Sequence, residues 1–220
     1  MPSFGISAFL RIVHMNVRPQ RTELRRRSMP REGGYDFHSS LRRLSHRLMA
    51  GESLESLLAA TLAIAQGPER QSAQLGLRRL DAWRALNPGA ILEFPATTAR
   101  SLGEIFSVTF TPNFGLRVGS QTVAIHVWNT AAPRLEPRLV RAVLSAFQAA
   151  YQTANNPPDD IAVLCLRTMR LVRLGNALEV AELGRLIFAN IDGIFREIAA
   201  DLGEPPPAPE DHPAPPPPGE

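Results

Sequence analysis

Residues 105–128, IFSVTFTPNFGLRVGSQTVAIHVW, decide the fold. Alternation puts Phe106, Val108 and Phe110 on one face of a first strand over 105–111. It puts Val123, Ile125 and Val127 on one face of a third strand over 121–128. The short run FGLRV between them is bounded by Pro112-Asn113 and by Gly119-Ser120, a two-residue hairpin signal. Three strands in a meander are expected.

The chain beyond the meander supplies its partners. Glu136-Pro137 opens a helix that Pro157-Pro158 closes, with Leu139, Val143 and Phe147 beside Val140, Leu144 and Tyr151 as a broad apolar face. Residues 161–166, IAVLCL, form an unbroken apolar run, the pattern of a strand buried on both faces. A strand reached through a crossover helix pairs in parallel. Residues 169–174 read as a further strand, hairpinned through Arg167-Thr168. A closing helix over 180–202 carries Leu183, Ile187, Ile191, Ile194 and Ile198 at helical spacing.

Upstream, residues 36–86 read as helices. Phe37, Leu41, Leu44 and Leu48 form one stripe; Leu54, Leu57, Leu58, Leu62 and Ala65 form a second. Pro68 suits the first turn of a third helix, which carries Leu75, Leu77, Leu80 and Trp83 and ends at Asn87-Pro88-Gly89. The fold class is α+β: a helical N-terminal part packed beside a small mixed β-sheet of αβββαβ order, flanked by helices. Residues 1–35 read as an arginine-rich arm, 36–202 as one domain with its core over 68–174, and 203–220 as a disordered, Pro-rich acidic tail.

Composition narrows the function. The chain has 220 residues, 44% hydrophobic and 20% charged, which suits a single folded domain. Its longest apolar run, 57–65, is interrupted by Thr61 and is far too short to span a bilayer. Residues 4–15 lack a basic flank and a small-residue cleavage site, so the expectation is a cytoplasmic protein. The single cysteine, Cys165, excludes an intramolecular disulfide and a Cys-based zinc site. His38 and His46 stand eight apart, too far for a shared ion of the HExxH kind, and no metal is expected. Neither GxGxxG, a lysine-bearing phosphate loop nor GxSxG occurs, so no cofactor is expected.

All 24 basic residues are arginine. That is either selection for planar, bidentate donors or the composition of a GC-rich coding sequence. Ten of them lie in residues 1–50 against Glu23, Glu32 and Asp36. Within residues 18–31, Arg18, Arg21, Arg25, Arg26 and Arg27 would line a phosphate track if helical, with Tyr35 or Phe37 to stack on a base. An exposed helix face or a mobile arm accounts for the same residues.

The αβββαβ order, with the residues around its turns, resembles the core of the PD-(D/E)XK, restriction-endonuclease-like nuclease superfamily over about residues 68–174. In that family a Pro-Asp pair opens the second strand and Glu-x-Lys lies on the third. Here Pro112-Asn113 opens the second strand, with Asn113 where the aspartate would stand. On the third strand His126 falls where the glutamate would be and Trp128 where the lysine would be. A magnesium-type cation needs anionic oxygen ligands, and these three residues supply none. The resemblance therefore implies a nuclease-like fold with a degenerate site.

The functional expectation is a non-enzymatic protein that contacts nucleic acid through its arginine-rich head. One alternative is a protein–protein scaffold with the Pro-rich tail as docking peptide. Another is an enzyme whose acids have moved to Glu104 or Glu136. Pro-rich, charged tails bury too little surface to offset their ordering. Deleting everything after Leu202 is therefore expected to shift Tm by no more than about 2 °C in a thermal melt.

Overall fold

The computed structural model describes residues 1–29 and 37–203. The expected Pro-rich tail after Gly203, and Tyr35 as a stacking residue, lie outside the described residues. Strands β1 (Ser3–Gly5), β4 (Ser107–Phe110) and β3 (Thr97–Arg100) make a small sheet in the order β1-β4-β3. Strands β2 (Ile91–Leu92), β5 (Phe114–Val118), β6 (Gln121–Trp128), β7 (Asp160–Cys165) and β8 (Arg170–Arg173) make the main sheet, in that order. The class is α+β with small mixed sheets, as expected.

The β5–β6 hairpin turns on two residues, since Val118 pairs with Gln121 across Gly119-Ser120. Gly119 has φ +62°, a left-handed conformation costly for any side chain with a Cβ. β6 then pairs in parallel with β7, from Val123 opposite Asp160 to Trp128 opposite Cys165. Between them the chain crosses over through α6 (Pro137–Ser145) and α7 (Gln148–Gln152), which replace the single helix expected between Glu136 and Pro157.

The expected meander needs correction in its first strand. β4 does not pair with β5; it lies between β1, parallel, and β3, antiparallel, in the other sheet. Periodicity identified the strand, but its edges were already taken by Ser3–Gly5 and Thr97–Arg100. The first strand of the main sheet is instead the short β2, with Ile91 opposite Leu116 and Leu92 opposite Gly115. The αβββαβ order is thus α5 (Gly67–Leu86), β2, β5, β6, α6–α7, β7, with β3 and β4 inserted after the first strand.

Helices cover both faces of the main sheet. One core joins Val123, Ile125, Val127, Ala162, Leu164 and Leu166 to α3 (Ser39–Met49), α4 (Leu54–Ala60) and α5. The other joins Ala124, Trp128, Ile161, Val163 and Cys165 to α6, the small sheet and the closing helix α8 (Ala181–Leu202). β6 therefore alternates between two cores, not between core and solvent. On α8 the buried positions are Gly184, Phe188, Ile191, Asp192, Phe195 and Ile198. The face is rotated from the Leu183–Ile187–Ile194 stripe, which only flanks it. Leu62 and Leu75, read as core members, are exposed. Among the described residues no helix is long and apolar enough to cross a membrane.

Residues 1–29 are not an arm. β1 leads directly into α1 (Ile6–Val13), which is followed by α2 (Val17–Ser28). Phe4, Ile6, Phe9, Leu10, Ile12 and Leu24 are all buried. Phe4 and Phe9 pack with Phe106, and Phe106 with Phe188 and Phe195 of α8. These large side chains offset the entropy of ordering the segment. Phe4→Ala is accordingly expected to cost about 3–5 kcal/mol, as much as Phe106→Ala. Chemical denaturation of both variants checks this, since an arm would leave Phe4→Ala near wild type.

Candidate functional site

The β4–β5 link, residues 111–113, passes over the edge of β6 and ties to it. Asn113 donates its backbone N–H to the Ile125 carbonyl at 2.8 Å, and its Oδ1 accepts from the Val127 N–H at 2.7 Å. Its carboxamide thus extends the β-ladder in place of backbone, and Asn113 is buried. On β6, His126 faces the opposite core from Val127 and is only 3% exposed. Its Nδ1 lies 2.9 Å from the Thr111 carbonyl oxygen and its Nε2 lies 2.7 Å from Ser7 Oγ. Trp128 shares the His126 face but is fully packed in the core.

A cleft of about 950 Å³ opens over His126, between the start of α1, the start of α3 and the loop after β6. Ser7, His38, Thr111, Asn129 and Thr130 bring hydroxyl, amide and imidazole groups to it. Arg11, Arg27, Arg42 and Arg167 also line it, and no carboxylate does among the described residues. A smaller void beneath it reaches Asn113 and Val127. Of the three positions carried by the nuclease resemblance, Asn113 and His126 are therefore brought to one site and Trp128 is not.

The electrostatics follow from this lining. Burial pushes the His126 imidazole down to about 4, the Thr111 carbonyl working against the shift, while nearby Arg42 and His38 add to it. His126 is thus neutral at neutral pH. Since a carbonyl can only accept, Nδ1 carries the ring proton and Nε2 accepts the Ser7 hydroxyl proton.

The arginine candidates separate in space. Arg21 turns away to α8, pairing with Glu197 and with Asp201 at 2.9 Å. Arg26 and Arg27 both hold Glu23, at 2.5 and 2.8 Å. Arg27 also lies over the Phe4 ring, 5.6 Å from its centroid, and is the member of the set that reaches the cleft. Arg18 and Arg25 are exposed on α2. Phe37, the other stacking candidate, stands at the cleft mouth, 36% exposed.

Ser7, Arg11, Arg42 and Arg167 escaped sequence reasoning. They come from three separate stretches, Ser7 and Arg11 sharing α1, and no spacing rule joins that helix to Arg42 on α3 or to Arg167 after β7. The proposed substitute acids do not reach the site. Glu136 caps α6, accepting from the Arg138 and Leu139 N–H groups at 3.0 and 2.8 Å, and Glu104 pairs loosely with Arg100 at 3.8 Å. Compared with known proteins, the chain matches no family model, and no curated protein matches it.

The depressed His126 pKa has a signed consequence. In the unfolded chain histidine titrates near 6.5, so between that value and about 4 the unfolded state binds more protons. Stability contributed by the neutral ring is intact above about pH 6.5 and falls as pH drops, by up to about 3 kcal/mol. Urea melts at pH 7 and pH 4.5 are expected to show a smaller acid loss in His126→Gln than in wild type.

Proposed function

We propose that this protein binds nucleic acid in the arginine-lined cleft, without the metal-assisted cleavage of the nuclease superfamily it resembles. The observation that carries the reading is the lining: Arg11, Arg27, Arg42 and Arg167 converge on one cleft that has no carboxylate among its described residues. Phosphate oxygens are the natural complement of such a surface, and guanidinium groups engage them in a bidentate manner. Arg18 and Arg25 add positive charge on the outer side of α2, and Phe37 at the cleft mouth offers a ring for stacking.

The second half of the reading rests on ligand chemistry. Metal-assisted hydrolysis needs anionic oxygens on the cation and on the attacking water. Asn113 offers a neutral amide already bonded to Val127, His126 has both nitrogens engaged, and Trp128 is sealed in the core. The strand order β2-β5-β6-β7 supports the nuclease-like resemblance, and the altered site positions support a member in which binding outlasted metal-assisted chemistry.

Fluorescence anisotropy with a labelled oligonucleotide tests the binding. Affinity is expected to fall steeply with salt. Each of Arg11→Ala, Arg42→Ala and Arg167→Ala should weaken it and reduce the log–log salt slope by about 1. Arg21→Ala, whose guanidinium is held by α8, should change affinity least. No cleavage is expected with magnesium or manganese. Binding that is absent or insensitive to salt would overturn the reading.

A further inference from the structure

The start of the chain builds a second chemical feature into the same cleft. β1 ends at Gly5, which is also the N-cap of α1, so the backbone passes from strand to helix without a loop. Ser7 is the second residue of that helix, and its hydroxyl lies on His126 Nε2 at 2.7 Å. The Thr111 carbonyl fixes the ring from its other nitrogen at 2.9 Å. Nucleophile, base and orienting acceptor thus stand in a line, with the proton inventory that activates a serine. No GxSxG motif announces it; the sharp strand-to-helix turn is the shared physical element.

Two further observations point the same way. Gly5, Ile6, Ser7 and Ala8 all line the cleft, and no side chain caps α1. The N–H groups of its first turn have no intrahelical acceptor, so those of Ser7 and Ala8 can receive a developing oxyanion beside the hydroxyl. The arginines around them suit a substrate that carries phosphate.

We infer that Ser7 is a nucleophile and His126 its base, for hydrolysis of an acyl ester whose alcohol part bears phosphate groups. The substrate class rests on the phosphate-binding reading of the cleft; the nucleophile does not. Ser7 Oγ attacks the carbonyl carbon and gives its proton to His126 Nε2. The tetrahedral oxyanion faces the Ser7 and Ala8 N–H groups. Its collapse breaks the bond to the alcohol oxygen, which takes the proton from His126 and leaves. Water then attacks the acyl-serine, passing a proton through His126 to Ser7 Oγ, and the free acid departs. A phosphate lying against Arg42 offsets the cationic part of the field on His126 and raises the ring's proton affinity.

The test uses the full chain and a fluorophosphonate probe, which adds covalently to activated serines. Wild type is expected to gain one probe mass on the tryptic peptide 1–11, with fragmentation placing it on Ser7 and not on Ser3. Ser7→Ala, checked by far-UV circular dichroism to be folded at the assay temperature, should lose the label entirely, and His126→Gln should slow labelling by about 100-fold or more. A phosphate-rich oligonucleotide should slow wild-type labelling, and a 3′-acylated oligonucleotide should be deacylated by wild type but not by Ser7→Ala. Wild type labelling no faster than Ser7→Ala would overturn the inference, even if the oligonucleotide binds. Labelling at Ser7 that the oligonucleotide neither slows nor binds alongside would overturn the substrate class and the nucleic-acid reading, leaving the nucleophile.

Discussion

The main sheet has no solvent face along its two central strands, and this constrains everything around them. From Val123 to Trp128 and from Asp160 to Leu166 each side chain enters one core or the other. A polar group there must find partners inside the protein or destabilise it by several kcal/mol. His126 is the polar side chain of β6 in that stretch, and its two partners come from α1 and from the β4–β5 link. Asp160 solves the same problem at the start of β7, holding Arg173 at 2.7 Å and accepting from the Ile161 and Gly175 N–H groups. Satisfying His126 therefore fixes the first helix against the sheet, and so creates the wall of the cleft.

Local signals are legible in the sequence where they are strong. Gly119-Ser120 marked a tight hairpin, IAVLCL marked a doubly covered strand, and Gly67-Pro68 with Asn87-Pro88 framed α5. Parallel pairing of β6 with β7 followed from the helix between them. What could not be read was partnership. Residues 105–111 alternate as a strand should, yet nothing in alternation says that Ser3–Gly5 will lie beside them. β1 and β2 are three and two residues long, too short to carry a period at all. α1 was obscured because Arg11 and His14 interrupt its apolar run, although both sit at the rim of a buried face.

The α8 face shows a different limit. The helical spacing of Leu183, Ile187, Ile191, Ile194 and Ile198 marks only part of the buried side, which also includes Gly184 and Asp192. Gly184 lies where a Cβ would come within 2.4 Å of the Ala142 carbonyl oxygen, so α8 approaches α6 through the missing side chain. Asp192 is buried because its Oδ2 accepts from the Gly103 N–H at 2.9 Å. Hydrophobicity is silent about both contacts. The candidate site was half legible for the same reason: Asn113 and His126 fell on one strand pair, whereas its cations and Ser7 met only through tertiary packing.

The two tryptophans lie on opposite sides of the main sheet, Trp83 in the α3–α5 core and Trp128 in the α6–α8 core. Strands β6 and β7 belong to both cores at once, so neither can lose its packing while the other keeps a folded floor. The molecule is in this sense a single cooperative unit with two optical windows. Fluorescence from either indole reports the same melting event, although the two rings belong to different cores.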